Sequence, residues 1–246
     1  MIRDLVAGAR CLVEGARWLG RHPRQWLFGL VPALITLLLY VVALILLGIY
    51  VPEAIALTTP FADGWAEPWR TLTSVVVGVA LVGVVLLAGV LLFTAVTLAV
   101  GAPFYDKLSE RVDTDLGGAP PAATRPVWRD VVAAISEGLR VAVYAGLFGV
   151  VLFLLGFVPI AGQTVIPVIG ACVSGFFLTV ELTSPTAERR GLSFRTRFAR
   201  LRRHKALAVG FGAPLFLLFL LPLGAVVLMP VGVVGATVLT RERLTG

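Results

Sequence analysis

The chain has 246 residues, 58% hydrophobic and only 14% charged, with a mean hydropathy of +0.95. A soluble domain carries about 25% charged residues, so the composition excludes a water-soluble globular protein and defines an integral membrane protein. In that setting the net charge of +7 reads as basic loops retained at a cytoplasmic face and drawn to anionic lipid, not as a nucleic-acid site.

Every acidic and basic residue falls outside four stretches, 25–52, 71–105, 141–180 and 206–240. Each exceeds the ~20 residues that span a bilayer. The first 24 residues are charged and mixed, and the apolar run after them is too long for a signal h-region, so no cleavable leader is expected. Cys11 and Cys172 have no metal-type spacing and read as unpaired small apolar residues.

Residues 1–22 alternate apolar and charged at helical spacing, with Leu5, Ala9, Leu12, Ala16 and Leu19 on one side. This predicts an amphipathic helix in the headgroup plane, ended by His22-Pro23. Residues 26–50 predict the first spanning helix, with Trp26 and Tyr50 at its ends. The loop 51–70 holds Glu53, Asp63, Glu67 and one base, Arg70, whereas the other bases lie in the N-terminus, 102–140, 181–205 and the C-terminus. The loop therefore faces outward, and both termini face the cytoplasm. Residues 71–101 return as a long second span that tilts or projects.

GAPFYDKLSERVD (101–113) reads as a separate interfacial or cytoplasmic helix, GGAPPAATRP (117–126) as a linker, and 127–143 as another amphipathic helix with Val131, Val132, Ile135 and Leu139 on one side. The run 141–180 is broken at FVPIAGQTVIP (157–167), and 206–240 at Leu221-Pro222-Leu223-Gly224. Each predicts two helices of about 16–18 residues, roughly 24–27 Å long and short of a ~30 Å core. They form hairpins entered and left from the cytoplasmic side. PIAGQTVIPVIGACVSG (159–175) and PLGAVVLMPVGVVGA (222–236) echo each other, with prolines eight apart and glycine after the first. The backbone exposed at such tips must be buried in protein or meet water, which predicts an oligomer, a pore, or both. Segment 181–205 is a basic cytoplasmic segment, with Phe194, Phe198 and Leu201 at helical spacing among arginines. The chain reads as one membrane domain, 1–246.

No nucleophile elbow, zinc motif or phosphate loop is present, and the spans hold no charge or histidine. No enzymatic activity, cofactor or metal is expected. Two places suit an anion. At RHPRQW, Arg21 and Arg24 supply charge and a starting helix supplies free N–H groups; the alternative is that both arginines are membrane-surface anchors. At the first hairpin, Glu137 and Arg140, three apart, line a vestibule or form a structural ion pair. Gln163 and Thr164 near its tip cap a helix or line a pore.

Taken together, HPRQWLFGLVPALIT, GAPFYDKLSERVD, the Glu137-Gly-Leu-Arg140 helix, VPIAGQTVIPV and LPLGAVVLMPVGVVGAT resemble the EI24 domain family, whose bacterial members include the CysZ-type sulfate permeases. The resemblance covers about residues 10–240. It implies two spanning helices, two partly penetrating hairpins, an oligomer, and inward movement of sulfate for cysteine synthesis across a bacterial inner membrane. The family's anion-binding turn falls on Arg24, Gln25, Trp26 and Leu27. This sequence departs from it, keeping one shifted arginine and lacking the glycine. The rival reading is a non-transporting membrane organiser that uses inserted hairpins as wedges.

Overall fold

The computed structural model describes residues 1–58, 66–118, 127–158, 161–221 and 224–244. The expected outward loop, the linker and the first proline of each hairpin tip, Pro159 and Pro222, lie wholly or partly outside that set. The described residues form helices and turns with no strand: α1 (Ile2–Arg21), α2 (Pro23–Thr58), α3 (Glu67–Asp115), α4 (Val127–Leu155), α5 (Ala161–Leu182), α6 (Ser184–Arg189), α7 (Phe194–Arg203), α8 (Lys205–Phe219) and α9 (Gly224–Leu239), closed by a wide turn at Thr240–Leu244. Four segments among them are long and apolar enough to cross a bilayer, 23–50, 135–155, 162–189 and 224–244. The protein is an all-α membrane protein.

Several boundaries differ from expectation, and α2 itself runs on to Thr58, into the segment read as the outward loop. The 49-residue α3 runs unbroken through Pro103, so GAPFYDKLSERVD continues the second long helix and is not a separate one. A single proline removes one backbone donor, and the helix-forming residues on either side carry the chain across. In the first hairpin, α4 has 29 residues and α5 has 22, against the 16–18 expected. Both helices extend past the uncharged run into charged flanks, so charge does not mark a helix end.

The backbone groups into two compact units, Val31–Phe104 and Met1–Leu30 with Tyr105–Gly246. In the first, Thr36 is buried and its hydroxyl donates to Pro32 O, one turn earlier in α2, at 2.7 Å.

The second unit contains the core. Its buried apolar residues include Leu19, Leu108, Val112, Val180, Leu201, Phe211, Leu215, Val234 and Leu239. The buried stripe of α1 is Gly8, Cys11, Gly15 and Leu19, not the Leu5 to Ala16 set, because small residues let backbones meet. A side chain on Gly8 would strike the Leu207 carbonyl, and one on Gly15 would lie 2.7 Å from Gly235 N. Gly175 of α5 and Gly212 of α8 meet in the same way. Beside that contact Thr179 Oγ1 lies 2.9 Å from Gly175 O and 2.8 Å from Ala208 O, joining α5 to α8. Close small-residue crossings are the means by which helices associate where lipid offers no hydrophobic drive.

The hairpin tips also match in detail. A Cβ on Gly162 would strike the carbonyl of Gly156, and one on Gly224 that of Leu218, each six residues upstream. Neither glycine is among those with positive φ. Glycine is required here by the closeness of the returning chain.

Gly212→Val places a branched side chain against backbone that cannot move aside. We expect a loss of about 3 kcal/mol or more by unfolding in detergent, while Gly170→Ala, which has open space at its Cβ, changes stability little. Burial pushes the Cys11 thiol up to about 11, so maleimide at neutral pH is expected to label Cys11 only after unfolding.

Candidate functional site

The turn between α1 and α2 is a single residue, His22. Its Nδ1 lies 2.9 Å from Trp18 O and its ring stacks on Trp18 at 4.3 Å. A carbonyl only accepts, so Nδ1 carries the hydrogen. Gln25 and Trp26 both donate their backbone N–H to His22 O, and Pro23 has no N–H. The turn consumes most of the donors that a starting helix would offer an anion. Arg24 is exposed in the first turn of α2, Gln25 is half-buried, and Trp26 is exposed with Nε1 donating to Val227 O at 3.4 Å.

Arg21 points elsewhere. With Glu14, Arg17, Trp18, Leu116, Val238, Arg241 and Glu242 it lines an open cavity of about 570 Å³. The Arg17 and Arg21 guanidinium groups are exposed and pair with no carboxylate among the described residues. Glu14 is occupied by Arg10 at 3.1 Å. Arg241 donates to Asp113 O and Leu116 O, both at 2.6 Å. The cavity thus presents two free arginines beside a third that is held in place.

Behind Arg241 lies Asp113, which is fully buried. Arg190 grips it through both nitrogens, at 2.7 and 2.6 Å; Arg241 reaches it at 3.3 Å and Arg189 at 3.5 Å. Arg189 also bonds Asp106 and Ser109. Ser109, Thr186 and Thr237 are all buried and close a triangle of hydroxyls with sides of 2.7, 3.0 and 3.1 Å. The triangle ties the end of α3 to α6 and α9.

A second network sits on α4. Glu137 pairs with Arg197 of α7, not with Arg140, and Ser184 bonds both members of that pair. Arg197 is fully buried, and burial pulls its guanidinium down to about 10, so it is charged at neutral pH and needs its carboxylate. Arg140 is exposed, as are Gln163 and Thr164 in the first turn of α5. The expected residues therefore fall in three places: the cavity (Arg21), the start of α2 (Arg24, Gln25, Trp26), and the hairpin α4–α5 (Glu137, Arg140, Gln163, Thr164). Arg17, Asp113, Arg189, Arg190, Arg197 and Arg241 were not singled out. For Asp113, Arg189, Arg190 and Arg197 the signal is the complementarity of segments, since 102–140 carries acids while 189–205 has eight bases and no acid; Arg17 and Arg241 lie outside both.

Fold and site define an all-α membrane protein with a basic cavity beside a buried ion-pair network. The family model described as sulfate transporter CysZ/etoposide-induced protein 2.4 matches residues 11–230, and the chain belongs to this family. The sulfate transporter CysZ of Pectobacterium atrosepticum is 32% identical over 154 residues, which is 62% of this chain and 56% of that protein. The sulfate transporter CysZ of Salmonella typhimurium is 29% identical over 161 residues, 65% of this chain and 63% of that protein, as is that of Salmonella typhi. The matched region thus spans less than two thirds of the length of these relatives.

Removing one member of a buried pair costs about 3–5 kcal/mol because a charge is left uncompensated. Asp113→Asn leaves three arginines facing one another and is expected to lose that much, read by denaturant or thermal unfolding. Arg24→Gln, on an exposed side chain, is expected to lose less than about 0.5 kcal/mol.

Proposed function

We propose that the protein is a permease for sulfate or a similar small oxyanion, feeding sulfur assimilation and cysteine synthesis. It lies in a bacterial inner membrane as a single multi-pass domain, with both termini cytoplasmic, and works as a homo-oligomer without an enzymatic step. The observation that carries this reading is membership of the family over residues 11–230, whose curated bacterial relatives are named sulfate transporters. The cavity supports it. Arg17 and Arg21 can donate to the oxygens of a tetrahedral anion through charge-assisted bonds, and Trp18 gives the cavity an apolar wall. The departure at the α2 turn shifts the anion-binding role from Arg24 and the free amides toward Arg21. The oligomer is supported by α4, whose apolar window 135–155 is nowhere buried within one chain.

The test is uptake of labelled sulfate by vesicles containing the purified protein, with sulfite as a second anion. Uptake above empty vesicles is expected. Uptake equal to empty vesicles for every oxyanion tried would favour the membrane-organiser reading. Hydrogen bonds to charged groups contribute about 1.5–3 kcal/mol, so Arg21→Gln is expected to weaken sulfate binding about ten-fold or more, measured by calorimetry.

A further inference from the structure

We propose that the outer face of α7 is a binding surface for the headgroups of anionic phospholipids. It is separate from the cavity and independent of the transport reading. The helix is N-capped by Ser193, whose hydroxyl accepts from Thr196 N, and it carries five arginines. Two turn inward. Arg197 serves Glu137 and Ser184, and Arg200 donates to Leu244 O. The other three, Arg195, Arg202 and Arg203, are exposed, and the exposed His204 and Lys205 follow at the start of α8. None of the three arginines nor Lys205 pairs with an acid among the described residues. Internal ion pairing therefore does not explain them.

Their arrangement fits a membrane surface. Arg195 and Arg202 are seven residues apart, on one face and roughly 10 Å along the axis, with Arg203 beside them. The adjoining flank is aromatic. Phe198 packs against Phe194 at 5.7 Å, Tyr144 at 5.8 Å and Phe176 at 5.8 Å, which ties α7 to the apolar helices α4 and α5. A basic stripe beside an aromatic band is the composition of the membrane–water boundary. The next helix, α8, is apolar after its first residue, so the stripe stands at the polar end of an apolar helix. Each basic side chain at such a surface is drawn to the phosphates of an anionic leaflet. Single-stranded nucleic acid fits less well, because it stacks bases on open aromatic faces, and these rings are occupied by one another.

The test uses the full-length protein in detergent, with thermal unfolding followed on adding phosphatidylglycerol, phosphatidylcholine, inorganic phosphate or a short single-stranded DNA. Stabilisation by phosphatidylglycerol alone is expected. Each surface arginine is worth about 1 kcal/mol toward an anionic leaflet, a factor of about five. Arg195→Gln/Arg202→Gln/Arg203→Gln should therefore raise the phosphatidylglycerol needed for half the effect on the order of 100-fold. The triple Arg→Lys variant should retain most of the effect, and Arg3→Gln, on α1, all of it. Equal stabilisation by phosphatidylcholine, an unchanged response in the triple glutamine variant, or an arginine-dependent response to inorganic phosphate or DNA would overturn the proposal. Should the triple variant not fold, wild-type protein and Arg202→Gln are compared by native mass spectrometry. Anionic lipid retained by both to the same extent, or by neither, overturns it equally.

Discussion

A carboxylate with no exposure to water must be matched by cations held in fixed positions, because desolvation of an unpaired charge costs more than any one contact returns. Asp113 imposes that requirement on its surroundings. It draws Arg190, Arg189 and Arg241 from two distant parts of the chain. Arg189 then reaches Ser109, which completes the hydroxyl triangle with Thr186 and Thr237. Arg241, held from behind, forms part of the cavity lining. One buried charge thereby sets the junction of α3, α6 and the end of α9, and with it the wall against which Arg17 and Arg21 open.

The protein solves two packing problems by different chemistry. Within the core, α1, α5, α8 and α9 meet through glycine, where backbone lies on backbone and no side chain intervenes. At the polar end, contacts are made by long arginines that cross gaps between helices. The first kind is tight and tolerates no added volume. The second is directional, and leaves some arginines turned outward once the buried acids are satisfied. That surplus gives both the cavity and the face of α7 their positive charge.

The membrane class, the helical architecture and the family were legible in the sequence, because hydropathy and charge report directly on what lipid will accept. The matched hairpin tips were legible as an echo of glycines and prolines, and the equivalent contacts of Gly162 and Gly224 give that echo a physical cause. The core stripe of α1 was not legible, since Gly8 and Gly15 carry little hydropathy and their value lies in what they leave empty. The continuity of α3 was hidden by Pro103, a residue that usually marks an end. At the site, Arg21 was legible and its companions were not. Which arginine meets which acid is decided between residues far apart in the chain, as with Asp113 and Arg241 or Glu137 and Arg197. The α2 turn looked like a donor-rich helix start, but His22 O takes up two of its amides.

The contact of α1 with α8 and α9 also has a temporal side. The backbones that Gly8 and Gly15 touch, at Leu207, Gly210 and Gly235, follow them in the chain, by roughly 200 residues of synthesis. At about 5–20 residues per second, the first helix waits on the order of 10–40 s before its partners leave the ribosome. Throughout that interval the glycine groove of α1 lacks the partners that fill it in the folded chain.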